Sequence, residues 1–162
     1  MPERATMQRA KKDLKRGRSA STAAGEFVRE EMDHIREGKH GARSTKQAIA
    51  IGLSKARRAG VPLRAPTRGK SSTKRQAARD LAKGRHKTKP SRTRSRAATR
   101  ALRKEPHRAA SHRALAAQAH TTAKRRGAAA RSASASKAVR TKGPALRRAA
   151  ARKAAATRKR AH

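Results

Sequence analysis

The larger apolar residues of this chain recur at helical spacing only near its beginning. Phe27, Val28, Met32 and Ile35 fall on one face of a helix with 3.6 residues per turn, and charged residues occupy the opposite face. This pattern predicts an amphipathic helix over about residues 21–37.

A second helix follows after a short turn. Ser44 and Gln47 have the spacing of a capping box, in which the two side chains satisfy free backbone N–H groups at a helix start. Ile49 and Leu53 continue as an apolar stripe, so we expect this helix over about residues 44–59. The two helices form an antiparallel hairpin whose apolar faces close on each other, or on a second copy in a homodimer.

We therefore expect a small helical head over residues 1–62. Its predicted core consists of Phe27, Val28, Met32, Ile35, Ile49 and Leu53.

Beyond residue 62 the pattern changes. Residues 63–72 contain the glycine and proline of a linker, and residues 73–162 are rich in Ala, Arg and Lys. Only six larger apolar residues lie in the last hundred positions, too few to offset the conformational entropy of ordering them. The expected fold class is thus mostly α, with a helical hairpin followed by a basic, alanine-rich tail that is disordered or nascent helix when free.

The charge of the chain is large and unevenly distributed. Residues 63–162 carry 32 Lys and Arg against two acids, a net charge of +30, whereas residues 1–62 carry 15 against seven, a net charge of +8. So dense a positive charge repels itself unless a polyanion neutralises it, and there are too few acids for a merely solvated surface. Nucleic acid is the expected partner.

The candidate contacts to phosphate are the basic residues of the tail, many of them in pairs and triplets. The predicted nucleic-acid-binding residues are Lys74, Arg75, Arg79, Arg92, Arg94, Arg96, Lys124, Arg125, Arg126, Arg147, Arg148, Arg152, Lys153, Arg158, Lys159 and Arg160.

Composition favours double-stranded DNA over RNA. Single-strand readers stack bases on aromatic side chains, and this chain has neither Trp nor Tyr, while its one aromatic, Phe27, belongs to the predicted core. The expected function is sequence-nonspecific, histone-like DNA binding and compaction. An RNA- or ribosome-associated protein is the first alternative, and a protein–protein adaptor acting through the head is the second.

Other chemistry finds little support in the sequence. There is no cysteine, no HExxH pattern and no glycine-rich phosphate loop, so we expect no enzyme, no cofactor and no metal site. His107, His112 and His120 do not share a helical face, while His34 and His40 flank the turn of the hairpin. We expect these histidines to be solvated.

The sequence contains no run of about 18 apolar residues, the length of a membrane span, and no apolar stretch typical of a secretory signal. We expect a cytoplasmic protein of the nucleoid, without a membrane partner.

Two resemblances add to this interpretation. The residues KHGARSTKQAIAIGLSKARRAG at 39–60 resemble the hallmark of a family of small basic bacterial proteins of unknown function. That resemblance implies a bacterial source and a shared helical head, but no activity. The composition of residues 63–162 is similar to the tails of linker histones and of bacterial histone-like proteins, which implies DNA compaction.

Overall fold

A computed structural model of the chain describes residues 2–86 and 91–160. These residues form the α-helices α1 (Arg4–Lys15), α2 (Ala20–Arg36), α3 (Thr45–Arg58), α4 (Ser71–His86), α5 (Arg92–Arg103), α6 (His112–Arg125) and α7 (Gly127–Arg160), with one 3-10 turn at His107–Ala110. The expectation of an all-helical class is confirmed.

The centre of the fold is the antiparallel pair of α2 and α3. Ser19 caps α2 by accepting a hydrogen bond from the Thr22 amide, and Ser44 caps α3 by accepting one from the Gln47 amide. A methyl group on Gly52 would lie 2.7 Å from the Cα of Val28, so the two helices approach closely at this glycine.

Two apolar clusters cover the faces of the hairpin. The first contains Ala10, Ala23, Ala24, Phe27, Ala56 and Val61, with Leu53 packed against it. The second contains Met32, Ile35, Ala42, Ala48, Ala109 and Ala110, with Val28 and Ile49 packed against it. All six predicted core residues thus lie in or against these clusters.

Helices α1 and α4 flank the hairpin, α1 against α2 and α4 against α3. The contact between α3 and α4 is close, since a methyl group on Gly84 would lie 2.1 Å from the carbonyl oxygen of Arg57. The buried guanidinium of Arg57 donates hydrogen bonds to the carbonyl oxygens of Leu63 and Arg64, which fixes the chain as it leaves α3.

Residues 102–110 return to the hairpin and dock on its turn. The amide of Gly41 donates to the carbonyl of Leu102 at 2.9 Å. The Thr45 hydroxyl donates to the buried carbonyl of Ala109 at 2.7 Å. Because Ala109 and Ala110 also fill the second cluster, backbone hydrogen bonds and alanines order a segment that has no large apolar side chain between Leu102 and Leu115.

The expectation that the tail is disordered or only nascent helix is wrong. Helices α5, α6 and α7 lie within it. Alanine, arginine and lysine are strong helix formers, and this propensity outweighs the few tenths of a kcal/mol (roughly 0.2–0.5) that each pair of like charges one turn apart costs. High net charge therefore does not predict disorder in a segment rich in Ala, Arg and Lys.

The breaks in the basic region are local. Gly127 and Gly143 have positive φ angles of 76° and 66°, which glycine adopts without strain. At Gly143 the helical dihedrals are interrupted, and Pro144 starts the next helical stretch within α7. Gly127 therefore suits the end of α6, and Pro144 suits the start of the stretch that follows Gly143.

The chain divides into two compact units, residues 1–118 and residues 119–162. The predicted head (1–62) and linker (63–72) both lie in the first unit, as does the predicted tail up to residue 118. The parts of the predicted tail at 87–90 and 161–162 lie outside the described residues. Among the described helices, none has the length and apolar character needed to cross a membrane.

Candidate nucleic-acid interface

Helix α4 presents a basic stripe opposite the face that packs on α3. Its buried residues Ala77 and Asp80 lie on the packed face. Arg75, Arg79 and Lys83 are four residues apart and exposed. Because residues four apart share a helix face and rise 1.5 Å each, these three cations are spaced about 6 Å apart along the helix.

Helix α5 carries a longer stripe. Arg92, Arg96, Arg100 and Arg103 recur at intervals of three or four residues, and all are exposed. A shallow groove beside them is also lined by Ser95 and Thr99. The Ser95 hydroxyl can donate to a phosphate oxygen, whereas the Thr99 hydroxyl already donates to the Ser95 carbonyl at 3.0 Å.

This stripe contains two arginines that the sequence analysis did not select. Arg100 and Arg103 continue the row that starts at Arg92 and Arg96, and their spacing was visible in the sequence. Arg94, which was selected, lies between the two first members of the row and therefore projects from another side of the helix. Basic residues that share a helix face are therefore better identified by intervals of three or four residues than by how close together they lie in the sequence.

Helix α7 is basic on all sides. Its 34 residues hold eleven Lys and Arg and no acid, and it has no buried residue. The two larger apolar side chains that stay exposed, Val139 and Leu146, also lie on it, 43% and 63% exposed. Because the cations surround both helical stretches of α7, neither stretch has a single binding face, and the two are separated by the kink at Gly143.

The structure distributes the predicted phosphate-binding residues over four helices. Lys74 is half-buried and the other fifteen are exposed. They lie on α4 (Lys74, Arg75, Arg79), on α5 (Arg92, Arg94, Arg96), at the end of α6 (Lys124, Arg125) or directly after it (Arg126), and on α7 (Arg147, Arg148, Arg152, Lys153, Arg158, Lys159, Arg160). Arg126 also donates a hydrogen bond to the Ser134 hydroxyl at 2.7 Å.

Both acids beyond residue 62 are engaged elsewhere. Asp80 is buried and accepts hydrogen bonds from the Ser54 hydroxyl at 2.8 Å and the Gln76 amide at 3.0 Å. Glu105 pairs with Arg43 of the hairpin turn at 3.6 Å. In the part of the chain that the structure describes, neither acid forms an ion pair with a cation of α4 to α7.

Six of the seven carboxylates of the head lie in ion pairs with cations of the head, whereas Glu30 accepts a hydrogen bond from the Glu3 amide. Glu26 lies 2.6 Å from Arg9, and Asp13 lies 3.2 Å from Arg18. At the end of α2, a hydrogen bond to Glu37 raises the pKa of the Lys39 ammonium. The surplus positive charge is therefore concentrated on α4 to α7.

Two histidines contradict the expectation that the histidines are solvated. The side chains of His34 and His40 are only 14% and 13% exposed. His34 contacts the Glu3 carboxylate at 2.9 Å, and this hydrogen bond lowers the pKa of Glu3. His34 meets Glu3 across 31 positions of the chain, a contact that local sequence does not reveal.

Comparison with known proteins identifies part of the chain. Residues 20–66, which contain α2, α3 and the residues that follow, match the model of a family of unknown function (DUF6496). No curated protein and no solved structure matches the chain.

Proposed function

We propose that this chain is a sequence-nonspecific DNA-binding protein of the nucleoid, histone-like in its action, which neutralises phosphate charge and compacts DNA. The observation that carries the proposal is the surplus of exposed cations on ordered helices. From residue 106 to residue 160 the sequence holds 16 Lys and Arg and no acid. Nothing within this stretch competes with phosphate for its positive charge.

The mechanism is counterion release. Each phosphate that a cation neutralises frees condensed counterions, so log K falls with log salt by about 0.9 per contact on duplex DNA. If the eleven cations of α7 each engage a phosphate, this helix alone contributes a slope of about −10. Helices that are already formed present these cations without the entropy cost of ordering a coil at binding.

Duplex DNA is a better match than single-stranded RNA. Phe27 is 1% exposed in the first apolar cluster, so the only Phe of a chain without Trp or Tyr is unavailable for stacking on a base. The candidate contacts are Lys and Arg side chains, which bind phosphate without reading the base sequence. RNA binding through phosphates is the competing outcome of the test below.

Compaction requires one molecule to hold more than one stretch of duplex. The two compact units both carry exposed cations, α4 and α5 in the first and α7 in the second, so a single chain offers two phosphate-binding parts. The compositional similarity of the tail to linker histones supports the same function. Dimerisation through the head stays a prediction, which sedimentation velocity tests.

The test is a capture experiment with the full chain in native lysate, split and treated with DNase or RNase before washing. We expect DNase to release the captured material and RNase to leave it bound. Release by RNase alone would replace the proposal with RNA or ribosome association. Partners that survive both nucleases would favour the adaptor function of the head.

A further inference from the structure

A cluster of metal-ligating side chains lies where α2 ends and the chain turns toward α3. Glu31 and His34 are three residues apart on one face of α2, and His40 follows in the turn. One potential ligand atom from each of the three lies within 4.8 Å of the other two. A carboxylate and two imidazoles make a donor set typical of zinc and other first-row transition metals.

The carboxylate of Glu31 is incompletely satisfied. The side chain is fully buried, and its Oε2 accepts a hydrogen bond from the Lys55 ammonium at 2.5 Å. Its Oε1 accepts no hydrogen bond from the residues that the structure describes. A buried carboxylate oxygen without a partner is costly, so this atom calls for a cation or a donor.

His40 points a nitrogen at that atom. Its Nδ1 contacts the carbonyl oxygen of Gly41 at 3.2 Å, and because a carbonyl only accepts, Nδ1 carries the hydrogen. Nε2 lies 3.4 Å from Glu31 Oε1 without forming a hydrogen bond to it. With the hydrogen on Nδ1, the Nε2 lone pair faces the carboxylate, and two facing lone pairs repel each other unless a proton or a metal ion lies between them.

The spacing suits zinc. Two ligand atoms on a tetrahedral zinc ion, each 2.0–2.1 Å from the metal, are about 3.3 Å apart. His40 Nε2 and Glu31 Oε1 are separated by 3.4 Å. The hydrogen bond from the other ring nitrogen to a backbone carbonyl is the usual support of a ligating histidine.

We propose that Glu31, His34 and His40 bind a divalent transition-metal ion of the zinc class. Glu31 supplies Oε1, and each histidine supplies one ring nitrogen. The remaining coordination position is filled by water. Glu3, in contact with His34, holds that ring in place and adds negative charge beside the site.

The site would stabilise the turn rather than perform catalysis. It joins the end of α2 to His40, directly before Gly41 and Ala42, whose amides hold residues 102–110. Through the Lys55 contact of Glu31 it also adjoins α3. Metal binding would therefore stabilise the docking of residues 102–110. The nearby ammonium groups of Lys55 and Lys39 repel a bound cation, so the affinity for the metal should be lower than at a site without these charges.

The experiment uses the full chain, treated with chelator and then titrated with Zn²⁺ by calorimetry, with Mg²⁺ as the hard-ion control. We expect one Zn²⁺ per chain, a rise in Tm, and no binding of Mg²⁺. Glu31→Gln and His40→Gln should each weaken Zn²⁺ binding by at least about tenfold. His120→Gln, at an exposed histidine of α6, is the matched control and should leave the affinity unchanged.

A measurement on the unaltered chain guards against variants that fail to fold. Long-range ¹H–¹⁵N spectra resolve the ring nitrogens of the seven histidines, and Zn²⁺ should shift those of His34 and His40 first. Shifts confined to the other histidines, or the absence of stoichiometric binding, would overturn the proposal. Equal loss of affinity in His120→Gln and His40→Gln would do the same.

Discussion

The hydroxyl of Ser54 in α3 donates a hydrogen bond to the buried carboxylate of Asp80 in α4 at 2.8 Å. Asp80 is one of the two acids beyond residue 62, and this contact gives it a structural role. It also helps to hold α4 against α3, so that the basic stripe of Arg75, Arg79 and Lys83 faces away from α3. The buried position of Asp80 therefore helps to set which side of α4, and which of its cations, face solvent.

Asp80→Ala should destabilise the first unit by about 1–3 kcal/mol, because the half-buried Ser54 hydroxyl and the Gln76 amide both lose their acceptor. Urea denaturation followed by circular dichroism measures this change. Arg79→Ala, at the exposed neighbour, should stay within roughly 0.5 kcal/mol of the parent chain. Equal effects of the two substitutions would mean that Asp80 does not anchor α4.

Phe27→Ala should cost about 3–5 kcal/mol, since Phe27 is the largest side chain of the first apolar cluster and is 1% exposed. Thermal melts monitored at 222 nm, a standard wavelength for helix content, report this loss as a lower Tm. Leu146→Ala on α7, where the side chain is 63% exposed, is the control and should leave the transition unchanged. A Phe27→Ala chain with the parent's Tm would refute the assignment of the core.

Gly41→Ala should release residues 102–110 from the hairpin, because the added methyl group would lie 1.8 Å from the carbonyl oxygen of Glu105. We expect faster trypsin cleavage after Arg103 and Lys104 and a loss of roughly 1–3 kcal/mol from overpacking. Gly25→Ala is the matched control. No atom lies within 4 Å of its added methyl group, and alanine in a helix should stabilise the chain by about 0.5–1 kcal/mol. Unchanged cleavage in Gly41→Ala would contradict the docking of this segment.

Neutralising the α5 stripe should reduce the salt dependence of DNA binding. Replacing Arg96, Arg100 and Arg103 by Gln removes three phosphate contacts, so the slope of log K against log salt should become shallower by about 2.7. Replacing the same residues by Lys keeps the charge and should keep the slope. If the Gln and Lys variants behaved alike, the stripe would not contact phosphate.

The sequence was informative where the local pattern determines the structure. Spacing of apolar residues located the predicted core, and Phe27, Met32 and Ile35 are buried in it. The capping spacing of Ser44 and Gln47 marked the start of α3 correctly. In the basic region, we expected charge repulsion to prevent stable helices. The structure contains them because the helix propensity of Ala, Arg and Lys is the stronger effect.

Long-range contacts could not be predicted from one sequence. The docking of residues 102–110 depends on backbone hydrogen bonds and on two buried alanines, which carry no distinctive signal. The proposed metal site depends likewise on contacts between distant residues, such as that of His34 with Glu3. Such juxtapositions emerge only when the helices are placed in space.

The most direct test of DNA binding through phosphate is the affinity of the full chain for two short duplexes of unrelated sequence, measured by fluorescence anisotropy over a range of salt concentrations. We predict equal affinities for the two duplexes and a slope of log K against log salt of about −9 or steeper, which corresponds to ten or more phosphate contacts. A shallow slope, or a strong preference for one duplex, would contradict the proposed function.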